Sequence, residues 1–205
     1  MKIFFDTEFT GLHKNTTLIS IGLVDENNKT FYAEFSDYAD NQCNEWIYKN
    51  VIKNLKWSKA GLSENFANIY TNDWEAYGTK EYIKTVLIDW LSKYNNVELI
   101  SDVCHYDMVL FVDIFGTAFD IPSNVNPVCH DINQDIAKFY EISEMEAFVK
   151  SREDITTEYR YLIDGNKHNS LYDARTIKAI YEIITQNKIN QTSKLLNHNE
   201  SLNLV

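Results

Sequence analysis

Asp6 and Glu8 stand two residues apart in Phe4-Phe5-Asp6-Thr7-Glu8-Phe9. In an extended chain, side chains two apart share a face, so these carboxylates project together. Side by side they repel unless positive charge lies between them. Hard divalent cations such as Mg²⁺ or Mn²⁺ take oxygen ligands and meet that need. The polar end of an ordinary surface strand presents the same pair, so the other acidic positions decide its meaning. His168 and Asp173 lie in His168-Asn169-Ser170-Leu171-Tyr172-Asp173-Ala174-Arg175. Inside a helix, five residues would rotate His168 away from Asp173. The loop-like Asp164-Gly165-Asn166-Lys167 before it lets His168 sit ahead of the helix and fold back over its first turns. The plainer reading is a helix-leading histidine and a surface aspartate. A third group is Ser101-Asp102-Val103-Cys104-His105-Tyr106-Asp107. Its aromatic–Asp pair opens a helix and can bring Asp107 to the ends of neighbouring strands. Asp102 and Asp113 compete with it, Asp102 as a solvated turn residue and Asp113 on another part of the helix.

The elements that must position these groups follow from periodicity. Residues 2–8, 18–24 and 30–35 have β-forming patterns, with turn composition at 25–29, and predict an antiparallel meander. Apolar spacing predicts helices near 44–55 and 80–94, a strand at 97–103, and a helix at 106–115 stopped by Gly116. Pro122 and Pro127 bracket a loop, and Asp131 is a natural N-cap for a helix running to Tyr140. Residues 151–167 are mixed and charged and read as a mobile connection, before an amphipathic helix from Ser170 to about residue 185. The last twenty residues, rich in Asn, Gln and Ser, read as a short helix or a loosely held tail. This order implies an α/β fold with one mixed sheet. Four strands show in the pattern, and a fifth near Val128 stays open. No repeat or linker divides the chain, so we expect a single domain over 1–205, with its core at about 1–185 and a C-terminal extension at 186–205.

Composition narrows the function. Hydrophobic residues make up 44% and charged residues 24%, as in ordinary globular proteins. The longest apolar run, 108–112, is too short for a bilayer, and the N-terminus lacks the features of a secretory signal. We therefore expect a cytoplasmic protein with no membrane partner. Cys43, Cys104 and Cys129 are odd in number and widely spaced, which suits reduced thiols and argues against a zinc site. The net charge of −11 argues against gripping a nucleic-acid backbone. The exception is an enzyme whose site carboxylates hold cations that supply local positive charge.

Asp6-Thr7-Glu8-Phe9-Thr10-Gly11-Leu12 resembles the first motif of the DEDD 3′–5′ exonucleases. Tyr106-Asp107 resembles the end of their second motif, although Val103 stands where that motif usually has Asn. His168-x4-Asp173 matches the third motif of the DEDDh (DnaQ-like) subgroup, and Asn169 excludes the tyrosine-bearing one. Phe5–Phe9, Leu18-Ile19-Ser20-Ile21-Gly22, Ala33, Trp46-Ile47 and Asp173-Ala174-Arg175 are further similar to the adenylate-preferring ribonuclease AS branch. The resemblance covers roughly 1–180 and is thin at about 56–95 and 130–165.

It implies a ribonuclease H-like fold, with a mixed five-stranded sheet flanked by helices. It implies that Asp6, Glu8, Asp107 and Asp173 hold two Mg²⁺ or Mn²⁺ ions about 4 Å apart, with His168 as general base. Phe9, Thr10, Gly11, Leu12 and Tyr106 would contact the terminal nucleotide, through backbone amides and apolar side chains, although Phe9 suits core packing equally well. The substrate would be the 3′ end of single-stranded RNA, released as 5′-mononucleotides by a homodimer. Lys150, Arg152, Arg160, Lys167, Arg175 and Lys178 are candidate backbone guides, but acids intersperse them. That suits a short grip on a 3′ end better than tracking along a duplex. The rivals are a DNA exonuclease of the same family, a catalytically silent RNA-binding protein on the same fold, and a phosphohydrolase of small nucleotides.

Overall fold

The computed structural model describes residues 1–57, 64–158 and 163–202, with side chains through residue 186. Strands β1 (Lys2–Phe9), β2 (Leu18–Asp25) and β3 (Thr30–Phe35) form the expected antiparallel meander. β2 and β3 are buried along their whole length, which is why both read as nearly continuous apolar runs. Beyond β3 lie β4 (Phe66–Ile69) and β5 (Asp73–Gly78); beyond β1 lie β6 (Val97–Ser101) and β7 (Val125–Asp131). The order across the sheet is β4-β5-β3-β2-β1-β6-β7, with β5 parallel to β3 and both β6 and β7 parallel to their neighbours.

Among the described residues the sheet thus has seven strands rather than five. β4 is an edge strand with no fully buried residue, and β5 mixes Asp73 and Glu75 with its buried Trp74, Ala76 and Tyr77, so neither has a clean alternation. β7 is the strand left open near Val128. Its first half is exposed apart from Val125, and Pro127 is tolerated there because the strand is an edge.

The helices are α1 (Glu45–Asn50), α2 (Lys80–Leu91), α3 (Cys104–Phe115), α4 (Ile132–Tyr140), α5 (Glu144–Val149), α6 (Arg152–Ile155) and α7 (Ser170–Leu202). α5 and α6 put ordered turns where the charged composition suggested a mobile connection or no element. α7 continues past residue 185 to Leu202, so of the two expectations for this stretch, a short helix or a loosely held tail, it is helix, as an extension of α7. Asp131 caps α4 by accepting from Asn133 N–H, as the sequence suggests. β6 stops at Ser101, short of the expected 103, because Val103 takes a left-handed backbone (φ 57°) that turns the chain into α3. Among the described residues, no helix is long and apolar enough to cross a membrane.

Strand parity sets the faces. Ile3 and Phe5 of β1 join a core with Leu87 and Trp90 of α2 and Phe111 and Ile114 of α3. Phe4 joins the opposite core with Ile132 and Ile136 of α4 and Ala174, Ile177 and Ile180 of α7. Asp6 and Glu8 continue the parity of Phe4 and face α7. Thr7 continues that of Phe5 and faces α3.

Candidate active site

The β1–β6 ladder ends at Phe4–Ile100, and Asp107 from the first turn of α3 occupies the space beyond. Its Oδ1 accepts from Thr7 N–H at 3.1 Å and from the Thr7 hydroxyl, and its Oδ2 accepts from the Ser101 hydroxyl. Burial pushes the Asp107 carboxyl up to about 6, against the opposing pull of the Ser101 and Thr7 bonds. Asp107 therefore sits behind the cleft floor rather than on it.

Asp173 is delivered by α7, whose first turn rests directly on β2. A Cβ built on Gly22 would lie 2.3 Å from Leu171 N and 2.4 Å from Leu171 Cα, so only glycine admits this approach. The Ser20 and Ser170 hydroxyls meet at 3.0 Å. Gly22 and Ser20 pair with Asp6 and Glu8 across the sheet, so the start of α7 necessarily lies beside those two acids. Asn169 caps α7 by accepting from Leu171 N–H and Tyr172 N–H at 3.2 and 3.3 Å. His168 has a left-handed backbone (φ 63°) and donates its N–H to Asp173 Oδ2 at 2.9 Å, the fold-back suggested by the loop before it. Ligand atoms of Glu8, His168 and Asp173 all lie within 4.8 Å of one another.

This gathering of like charge is electrostatically unfavourable. Burial, then Asp107, Asp173, Glu8 and Asp102, hold the Asp6 carboxyl well above the usual carboxylate range. Burial, then Asp173 and Asp107, do the same to Glu8. Asp173 is pushed up to about 7 by burial, partly offset by the His168 N–H and Lys167. Burial and then Lys167 hold the His168 imidazole below its ordinary value. Three hard oxygen donors facing one cleft, with their repulsion uncompensated, fit divalent cations. The cleft encloses about 650 Å³, and its other wall is formed by Phe148, Lys150, Arg152 and Lys167.

Next to it lies a smaller cavity of about 390 Å³ lined by Glu8, Phe9, Gly11, Leu12, Trp46 and Ile47. Leu12 is 80% exposed at its rim and Trp46 is 51% exposed. The Trp46 ring meets the His168 imidazole edge-on at 5.0 Å between centroids.

The sequence profile of the Rv2179c-like 3′–5′ exoribonuclease domain matches residues 1–185. The chain belongs to this family. It is a hydrolytic nuclease, a 3′–5′ exoribonuclease. The 3′–5′ exoribonucleases Rv2179c and MT2234.1 of two Mycobacterium tuberculosis strains are each 24% identical over 136 residues, covering 65% of this chain and 73% of theirs. Among solved structures, the nuclease domain of 3′hExo, a DEDDh family member bound to rAMP, superposes with a TM-score of 0.59 at 14% identity, covering 91% of this chain and 92% of that one. The 3′-exonuclease solved in recognition of the histone mRNA stem-loop gives 0.60 at 14% identity, over 90% of this chain and 63% of that one. Schizosaccharomyces pombe Pop2p in its Mg²⁺- and Mn²⁺-bound form gives 0.55 at 16% identity, over 88% of this chain and 81% of that one. These likenesses establish an α/β fold of the DEDDh exonuclease kind.

Within this exoribonuclease, the structure brings Asp6, Glu8, His168 and Asp173 to one cleft and sets Asp107 behind it. Phe9, Gly11 and Leu12 line the smaller cavity. Tyr106 backs it by stacking on Phe9 at 5.2 Å and 17°. Thr10 is buried and its hydroxyl bonds to Gln42 at 2.6 Å. Thr10 N–H donates to Thr17 O and Gly11 N–H to the Thr16 hydroxyl, so these two amides hold the loop together instead of facing a nucleotide as expected.

The candidate backbone guides are mostly engaged too. Arg152 clasps Asp102 through Nε (2.6 Å) and Nη2 (2.8 Å), reaches Asn133 Oδ1, and caps Ala147 O and Lys150 O with Nη1. Lys167 pairs with Glu153, Lys178 with Glu182, and Lys150 lies over Tyr140. Arg175 donates to Asp164 O, and Arg160 lies outside the described residues. Trp46 is among the residues that carry the family resemblance, but its exposure beside His168 is a tertiary fact that no local pattern carries.

Proposed function

We propose that this exoribonuclease is metal-dependent and releases 5′-mononucleotides from the 3′ ends of single-stranded RNA. Two Mg²⁺ or Mn²⁺ ions would be held by Asp6, Glu8 and Asp173, with Asp107 completing the acidic set from behind. The observation that carries this reading is the convergence of Glu8, His168 and Asp173 within 4.8 Å, beside an Asp6 whose proton affinity is raised by its acidic neighbours. When bound, the ions supply positive charge to the phosphodiester and acidity to the attacking water. His168, whose pKa is held low, is neutral at pH 7 and accepts the proton of that water as general base. Asp173 takes the His168 N–H, so the backbone at the base is tied to a metal-holding side chain. Phe9, Leu12 and Trp46 receive the terminal nucleoside, where stacking contributes roughly 1–3 kcal/mol per base. Asp107 fixes Thr7 between the two acids of β1.

The exonuclease domain is taken as the main body of the chain, with the last turns of α7 outside it. The apolar residues Met145, Phe148 and Val149 exposed on α5 support assembly as a homodimer; a monomeric mass by light scattering would refute that state. The catalytic reading is tested with matched RNA and DNA oligonucleotides and Mn²⁺. Wild type should release mononucleotides from RNA only when metal is present, and Asp6→Ala should release none. Metal-independent release, or a strong preference for DNA, overturns it.

A further inference from the structure

His168 is held from behind as well as from the metal side. Asn54 Nδ2 donates to Lys167 O at 2.8 Å, and Asn169 Nδ2 donates to Asn54 O at 3.4 Å. One residue therefore grips the chain immediately before and immediately after His168. The same Asn54 Nδ2 donates to Asn50 O at 2.7 Å, at the last residue of α1. α1 carries Trp46, which lines the nucleoside cavity and meets the His168 ring edge-on.

The segment bearing Asn54 is itself anchored to the sheet. Glu34, fully buried on β3, accepts from Lys56 N–H and from Trp57 N–H at 3.0 Å. It also accepts from the Tyr32 hydroxyl at 2.7 Å, and that oxygen accepts from Asn169 Nδ2 at 3.2 Å. A left-handed backbone is uncommon at a non-glycine residue, and the contacts around the loop hold that shape at His168. Asp173 supplies one restraint, on the His168 N–H. Asn54 supplies the restraints on the two flanking residues.

We propose that Asn54 is a positioning residue for the general base. It fixes where the His168 imidazole stands over the cleft and couples that position to α1 and the nucleoside cavity. Asn54 lines neither the acidic cleft nor the nucleoside cavity and acts through His168. Asn169 is a poorer probe of the same network, because its side chain also caps α7.

The inference rests on His168 being the base, and a double-mutant cycle separates the two claims. Wild type, Asn54→Ala, His168→Ala and the double variant are assayed on an RNA oligonucleotide with Mn²⁺. His168→Ala alone should lower kcat by about a hundredfold or more; if it does not, the assignment of the base fails, whatever Asn54 does. Asn54→Ala should lower kcat by about tenfold or more with KM changed less than about threefold, and should add less than about twofold to the His168→Ala loss. Equal losses in both backgrounds overturn the proposal.

A second readout needs no metal and no turnover. Among the five histidines, the ring resonances of His168, displaced by the Trp46 ring, should move toward those of an exposed histidine in Asn54→Ala while the others stay in place. A stationary His168 signal overturns the proposal. Should Asn54→Ala not fold, Asn54→Ser keeps a polar residue in the loop but cannot make the side-chain amide's bonds to Lys167 O and Asn50 O, and goes through the same cycle and the same spectrum.

Discussion

Two sets of carboxylates meet at one end of the sheet, and they are treated in opposite ways. Asp102, just past the end of β6, is clasped by one edge of the Arg152 guanidinium, Nε and Nη2, and touched by Asn133. Asp6, Glu8 and Asp173, facing the same cleft, are left to repel one another, while the nearby lysine, Lys167, is drawn off by Glu153. Where the fold supplies its own cation, the acid serves as a structural tie between β6 and the α5–α6 wall. Where it supplies only the partial offset of Lys167 at Asp173, the acids keep a destabilising arrangement that, in the proposed reading, an external cation would relieve. Buried Glu34 follows the first pattern with amide and hydroxyl donors in place of a cation.

The contrast is broken most severely at Asp6. Asp6→Asn should lower kcat by about a thousandfold or more, while raising the metal-free melting temperature through relief of repulsion. A calorimetric scan and a nucleotide-release assay on one preparation check both halves, and a lower melting temperature would count against mutual repulsion. Arg152→Ala should do the reverse. It strands Asp102 and should cost about 2–4 kcal/mol of stability while leaving Mn²⁺ affinity within a few-fold, as denaturant titration and isothermal titration would show. An unchanged denaturation midpoint would mean that the clasp is idle.

The pH dependence is smaller and has a definite sign. The folded pKa of Asp173 is raised from the model-compound 3.8 to about 7, so between those values the folded state holds a proton that the unfolded chain has released. The contribution of this group is therefore fully present below about pH 4 and is lost as pH rises to about 7, an effect of about 2–4 kcal/mol in metal-free protein. Saturating Mn²⁺ should flatten this slope, and melting curves at pH 5 and 7.5 with and without the ion measure it. The smallest effect is expected at Val103. A β-branched residue with φ 57° is strained, and Val103→Asn should stabilise the protein by about 1 kcal/mol without altering kcat. A loss of stability would show that packing of the valine outweighs the backbone strain.

The catalytic strand was the most legible part of the sequence. Its alternation placed Asp6 and Glu8 on one face from two-residue periodicity alone, and the composition of residues 164–167 allowed the fold-back at His168. Local signals carried that much because the information lies within a few residues. β4 escaped because the half-buried positions of an edge strand accept polar residues without penalty, and β5, though inside the sheet, because Asp73 and Glu75 break up its buried Trp74, Ala76 and Tyr77. The Arg152–Asp102 clasp spans 50 residues and the Thr7–Asp107 bonds span 100, and no periodicity reports a partner that far away. The use of the Thr10 and Gly11 amides inside their own loop, and the approach of Trp46 to His168, likewise exist only once the sheet is assembled.

The register shift between Glu8 and Phe9 ends the regular pairing of β1 with β2, and Glu8 lines both cavities. In the proposed reading, chemistry and recognition would fall on consecutive residues of one strand. With the last base of an RNA against Phe9 and Trp46, the first phosphodiester would lie beside Glu8. The end of β1 would then act as a ruler whose graduations are peptide units and cannot slip relative to each other. Each cut would leave a new 3′ end one step short of the mark, and the strand would have to advance before the next cut.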